Sequence, residues 1–347
     1  MNKIILIGNG FDIAHGMKTS YHDFILWYFI KMYERIAESK RYEDNLVEAY
    51  TSEILNLKGI EKLSLETIIQ NISSQRHIKI NFKCRFFKDL LEHYNNKKWV
   101  DIESFYFKNL VSLYKEYIKE GELYEHESLR KVKGLNDCFS SLKESLYEYL
   151  NIVNGGHYLH IDTIYSHFAN EIFHDVQEGE YVYFLIFNYT SMINVYLELF
   201  QDKPFIVNYI HGKLKSEKHP IIFGYGDEID QHYKPMEDLN ENEFLQNIKS
   251  FLYLSNSSYN DFSGFLKMDD YKVYILGHSC GLSDRVLLKS IFQNSRCASI
   301  KIFYHTRRAG NNNFRELTQN ISRHFGPEAR NEMRNKIVPE NKSVPLS

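Results

Sequence analysis

Lys3-Ile4-Ile5-Leu6-Ile7-Gly8-Asn9-Gly10-Phe11-Asp12 is the stretch on which the fold turns. An unbroken apolar run that passes straight into a glycine loop reads as a strand covered on both faces, as in a parallel α/β sheet. Glycines there let the backbone approach a phosphate and aim amide N–H groups at it, which makes Gly8, Asn9, Gly10, Phe11 and Asp12 candidate nucleotide contacts. The competing reading is a tight strand-to-helix turn with no ligand. The motif falls short of a dehydrogenase fingerprint. GxGxxG needs glycine where Ile13 stands, and no second strand ending in an acid follows within about twenty residues.

Four further short runs, at 181–187, 205–210, 272–276 and 299–304, have the same buried-strand character, and 220–223 is a candidate extra strand before Gly224-Tyr225-Gly226. The long block between the first and second runs reads almost entirely as helix. In it, 21–37 carries an apolar stripe at 21, 24, 25, 28, 32 and 36, and 45–57, 64–72, 82–94, 102–118, 135–153 and 163–173 continue the pattern. The expectation is an α/β fold: a Rossmann-type parallel sheet with a large helical insertion after the first strand. Residues 1–20 and 176–334 form the discontinuous nucleotide-binding domain, 21–175 the inserted helical subdomain, and 335–347 a loose tail.

Three more clusters sit at predicted strand ends, where open α/β sheets bind ligands. Asn188, in Phe187-Asn188-Tyr189-Thr190, could orient an amide or a water, or simply cap a helix over 191–200. His211, followed by Gly212, is a candidate general base. Gly277-His278-Ser279-Cys280-Gly281-Leu282-Ser283-Asp284 offers Ser279, Ser283 and Asp284 to a ribose or a helix start, and it also fits GxSxG literally, with His305 and His324 downstream. In a parallel sheet these clusters converge on one crevice.

Composition narrows the class. The 347 residues suit one large domain or two modest ones at about 150 residues each. A net charge of -3 gives no footprint for nucleic acid. The longest apolar stretches have seven residues, against roughly twenty for a membrane span. Cys84, Cys138, Cys280 and Cys297 include no CxxC pair. That spacing speaks against a zinc site or a disulfide framework and suits a reducing, cytoplasmic location with no metal. Aromatic residues make up 15%, enough for a substantial core.

Leu6 to Gly16 with Thr19-Ser20-Tyr21 and Phe24, together with Phe187-Asn188-Tyr189-Thr190, Ile210-His211-Gly212, Phe223-Gly224-Tyr225-Gly226 and Gly277 to Arg285, resembles the AbiH family of bacterial abortive-infection proteins. The likeness runs from residue 4 to about 305. That family in turn resembles, more distantly, the sirtuin-like NAD-binding fold. On this resemblance Gly8-Asn9-Gly10 looks like the glycine loop, and Asn188 and His211 like the catalytic pair. Gly277-x-Ser279 looks like the late ribose-contacting element. Two departures bear on activity: the zinc-binding CxxC pairs of deacylating sirtuins are missing, and Thr190 stands where their nicotinamide-contacting Asp would be. Sirtuin-like defence proteins without the zinc module hydrolyse NAD, so the resemblance implies an anti-phage NAD glycohydrolase.

In that expectation Asn188 and His211 are catalytic. Gly8, Asn9, Gly10, Phe11, Asp12, Thr190, Gly277, Ser279 and Asp284 bind NAD, which is the substrate, and a phage-derived trigger and a homo-oligomer are the expected partners. The alternatives are an NAD or ADP-ribose sensor without turnover, a serine hydrolase at Ser279, and a partner surface on the helical insert. In the insert, Trp99-Val100-Asp101-Ile102-Glu103 also resembles the family; Trp99 reads as a buried residue opening a helix, with Glu103 able to reach the crevice.

Overall fold

The described residues form nine strands in a computed structural model that covers residues 1–53, 64–74, 78–97, 101–120, 125–174, 176–307 and 310–347. They are β1 (Asn2–Ile7), β2 (Arg41–Glu43), β3 (Val47–Tyr50), β4 (Lys79–Phe82), β5 (Val182–Ile186), β6 (Phe205–Tyr209), β7 (Tyr271–Leu276), β8 (Cys297–Tyr304) and β9 (Val344–Pro345). Six of them pair in the order β6-β5-β1-β7-β8-β9, every pairing parallel. Numbered by entry into this sheet, the order is 3-2-1-4-5-6, the doubly wound Rossmann arrangement. The strand order reverses between β1 and β7, so the switch point lies beyond Ile7 and Leu276.

Alternation along the strands divides one sheet between two cores. Ile4, Leu6, Leu185, Val273, Ile275 and Ile300 pack to one side with Phe262, Leu288 and Ile321. Ile5, Ile7, Phe184, Ile186, Leu276 and Phe303 pack to the other with Phe168, Tyr196 and Phe200. Burial on both faces is why these strands read as continuous apolar runs. The 220–223 segment forms no strand. It runs past Gly212, whose positive φ leaves no room for a Cβ, which would sit 2.1 Å from the Pro220 carbonyl oxygen. The C-terminal residues read as a loose tail contribute β9, and Leu346 is buried.

The chain divides into two compact units: Met1–Lys18, Leu150–Asp230 and Ile248–Ser347 form the first, and Thr19–Tyr149 with Gln231–Asn247 the second. In the second, helix Tyr21–Ser39 starts at an N-cap where Ser20 Oγ accepts from the Asp23 amide, and it buries Phe24, Ile25, Tyr28, Phe29, Met32 and Ile36, nearly the predicted stripe. This unit also holds an antiparallel sheet in the order β2-β3-β4. The expected helix over 45–57 is therefore corrected to β3 in its first part, while 54–57 lies outside the described residues. Val47 and Ala49 are buried and alternate with Glu48 and Tyr50, a period of two that the apolar count conceals. Residues 231–247 join the unit from far along the chain, with Asn136 Nδ2 donating to the Glu243 carbonyl at 2.8 Å. Trp99 and Val100 lie outside the described residues, and Glu103 is buried on helix Ile102–Glu120.

The cysteine reading needs a correction. Cys84 and Cys138, 54 residues apart, are disulfide-bonded in the second unit, whereas Cys280 and Cys297 are free and buried. Distant sequence positions gave no sign of the pairing, because packing of Cys138's helix Glu125–Asn154 against Cys84 is a tertiary event. No helix among the described residues is long and apolar enough to cross a membrane.

Candidate functional site

β1 and β7 run side by side, and their exits are joined backbone to backbone. The Gly8 amide donates to the Leu276 carbonyl at 3.1 Å and the Gly10 amide to the Gly277 carbonyl at 2.8 Å. A Cβ on Gly8 would meet the His278 Cα at 2.4 Å, and one on Gly277, whose φ is +73°, would meet the Phe11 nitrogen at 2.0 Å. Close approach of two loops thus requires these glycines, whatever else they contact. Asn9 is exposed. Phe11 is buried in an aromatic group, 5.6 Å from Tyr196 and 4.7 Å from His15 between ring centres, which is a packing role.

Asp12 follows on the short helix Asn9–Ala14 and is 1% exposed. Thr190 Oγ1 donates to its Oδ2 at 2.6 Å, while Oδ1 is buried without a hydrogen-bond partner. Burial pushes its pKa up to about 6, against the opposing hydrogen bonds from Thr190 and Asn188. A buried carboxylate oxygen left unpaired is costly and is a natural acceptor for a ligand hydroxyl. Asn188 Nδ2 donates to the Gly8 carbonyl at 3.1 Å, so Asn188 braces the glycine loop. It does not cap a helix over 191–200; the Ser191 amide instead donates to Asn154 Oδ1, and only Asn194–Leu197 is α-helical there.

On the other side of Phe187 lies a second buried cluster. The Phe187 ring packs 5.1 Å from the His211 ring and 4.1 Å from that of His278. His211 Nδ1 lies 3.2 Å from the Phe187 carbonyl. Its Nε2 lies 3.2 Å from Tyr253 Oη and 3.1 Å from Asp284 Oδ1. Asp284 Oδ1 also accepts from Lys249 Nζ at 2.8 Å, and Oδ2 lies 3.6 Å from His278 Nε2. Burial penalises the Asp284 charge, but Lys249 and then His211 outweigh it and hold the carboxyl well below its usual range. Burial, reinforced by Lys249, pulls His211 down to about 4 against the pull of Asp284. At neutral pH the network is therefore an ionised Asp284–Lys249 pair beside a neutral imidazole.

In the tautomer with its proton on Nδ1, toward the Phe187 carbonyl, neutral His211 turns the Nε2 lone pair to the Tyr253 hydroxyl. Once protonated, Nε2–H would find Asp284 Oδ1 already in place. This is the arrangement of a general base whose conjugate acid has a waiting acceptor.

The structure thus brings together the glycine loop, Asp12, Asn188, Thr190, His211, Gly277 and Asp284 at the switch point. Ser279 is exposed, and it is the backbone carbonyl of Ser279 that accepts, from Asn320. The His324 Nε2 is engaged by the Cys280 carbonyl at 2.9 Å. Lys249, Tyr253 and His278 went unassigned in the sequence. His278 lay inside a quoted motif. Lys249 and Tyr253 had no local signal, because only the return of 248–255 to the sheet places them. Among the described residues no group of three or more His, Cys, Asp or Glu is set to hold a metal.

A family model described as bacteriophage abortive infection AbiH matches residues 4–306. That span contains every element of this site. No curated protein matches the chain.

Proposed function

The chain belongs to the AbiH family of bacteriophage abortive-infection proteins, and we propose that it serves that anti-phage role by hydrolysing NAD at the switch point of its parallel sheet. The observation that carries the reading is the pairing of two buried elements there: a carboxylate with an unpartnered oxygen, Asp12, and a His211–Asp284–Lys249 network. Cleavage of the nicotinamide N-glycosidic bond expels neutral nicotinamide and leaves an oxocarbenium-like ribose. Water adds to the anomeric carbon, and ADP-ribose and one proton are released. The site gains by stabilising the cation and placing the water.

In this proposal Asp12, ionised above about pH 6, accepts a ribose hydroxyl and faces the developing positive charge. Asn188, fixed by its bond to Gly8, orients the carboxamide or the water. A ribose hydroxyl displaces Tyr253 Oη from His211 Nε2 and gives up its proton there, with Asp284 receiving the new N–H. Gly8 to Gly10 and Gly277 form the floor under the diphosphate, and Ser279, exposed at the rim, meets the distal ribose. The engagement of both His211 nitrogens within the protein favours one second reading, an NAD or ADP-ribose sensor that binds without turnover. In infected cells, total NAD should collapse with the wild-type chain and persist with Asn188→Ala; NAD that falls equally with both would remove Asn188 from the chemistry.

A further inference from the structure

Helices Ser258–Phe265 and Arg285–Phe292 bury their apolar residues on the sheet face that holds Leu6 and Ile275. Tyr259, Phe262, Ser263 and Leu266 recur at helical spacing and so share one side of the first helix and its C-terminal turn, and Leu287 and Ser290 share one side of the second. These two sides frame a pocket of about 160 Å³. Small side chains on its wall, Ser263 and Ser290, are what keep it open. A space of that size takes one benzene-like ring and excludes a nucleotide.

Phe262, Leu266 and Leu287 give the pocket a buried apolar lining, and the free polar groups beside them can all donate. The hydroxyls of Tyr259 and Ser263 make no hydrogen bond, and the exposed Lys267 no ion pair, with another described residue. Burial, and then Glu228, push the Tyr259 hydroxyl up, so it keeps its proton at neutral pH. Among the described residues no carboxylate lines the pocket. An ammonium and two hydroxyls around a one-ring apolar space suit an aromatic carboxylate. Tyr259 also connects the pocket to the switch point. Its ring stacks on Tyr253, 5.5 Å between centres and 12° from parallel, and Tyr253 stacks on His211 at 6.2 Å and 13°. Tyr253 Oη lies 3.2 Å from His211 Nε2.

We propose that this pocket binds a single-ring aromatic carboxylate and that its occupancy acts on His211 through the Tyr259–Tyr253 stack. The ring packs on Phe262 and Leu287, and the carboxylate meets Lys267, with Tyr259 and Ser263 as further donors. Packing against Tyr259 shifts that ring, and contact passes the shift to Tyr253 and so to the hydroxyl at His211 Nε2. Only the meaning of that shift for catalysis rests on the function proposed above.

The test is calorimetric titration of the full chain with sodium benzoate at fixed ionic strength, with the His211 ring resonances followed by NMR and no NAD present. Binding should be saturable. It should be about tenfold weaker in Lys267→Ala, and for neutral benzamide, and be lost in Ser290→Leu, which fills the pocket from an exposed helical position. Asn188→Ala, at the switch point, should bind benzoate as wild type does. The His211 resonance should move with the same midpoint as the heat in wild type and stay fixed in Ser290→Leu. Absence of saturable binding, or an affinity unchanged by either Lys267→Ala or Ser290→Leu, would overturn the site. A His211 resonance that stays fixed at saturation would overturn the link to the switch point. Because each reading is taken without NAD, a failure of NAD hydrolysis is distinguishable from a failure here.

Discussion

Lys249 Nζ lies 2.8 Å from Asp284 Oδ1, and the lysine side chain is wholly buried. Two charges withdrawn from water tolerate each other only as a pair. Lys249→Met would strand the Asp284 carboxylate, at a cost of about 3–5 kcal/mol, read as a lower midpoint in urea. Adding Asp284→Asn should recover most of that loss. A Lys249→Met chain as stable as wild type would contradict the pairing.

Asp12 titrates late. With a folded pKa near 6 against an ordinary 3.8, the native state holds this proton longer than the unfolded chain does. The stability it contributes is therefore complete below about 3.8 and lost as pH rises toward 6. Thr190→Val removes the hydrogen bond that lowers the pKa and should move the midpoint higher. Carboxyl-carbon NMR checks both, and an Asp12 midpoint near 4 would contradict the burial argument.

His211 works in the opposite direction. Its folded pKa of about 4 lies below the ordinary 6.5, so its contribution to stability is complete above 6.5 and lost as pH falls toward 4. Because Asp12 opposes this trend over much of the same window, the comparison must be between wild type and His211→Gln. The variant should lose less stability between pH 6.5 and 4.5 than wild type does.

Gly277 and Gly16 have nearly the same positive φ, +73° and +75°, but only Gly277 faces another backbone; nothing lies within 4 Å of a Cβ on Gly16. Gly16→Ala should cost about 1 kcal/mol, for the left-handed conformation alone. Gly277→Ala should cost clearly more, about 3 kcal/mol, since the Phe11 amide cannot move aside without shifting β1. Thermal melts of the two variants separate loop-to-loop contact from backbone strain.

The parallel sheet was legible because its strands are buried on both faces, and that leaves unbroken runs such as Ile4 to Ile7. The antiparallel sheet was not. β2 and β4 each have three or four residues with at most one fully buried, too little alternation to stand out among helices. Asn188, His211 and Asp284 could be named because each closes or follows a strand and carries a polar group there. Lys249 could not, since a lysine's burial is decided by a carboxylate 35 residues away. The Cys84–Cys138 bond was hidden for the same reason. The close approach of Gly8 and Gly10 to the Gly277–His278 backbone had no local signal, because it joins loops more than 260 residues apart.

Nicotinamide release is the most direct measurement: purified chain incubated with NAD, alone and with lysate of phage-infected cells, the product resolved by chromatography. Wild type should release nicotinamide and ADP-ribose in equal amounts in at least one of these conditions. His211→Ala and Asn188→Ala should each be slower by about a hundredfold or more. NAD left intact by wild type in both conditions, or cleaved as fast by the two variants, would contradict hydrolysis at the β1–β7 switch point.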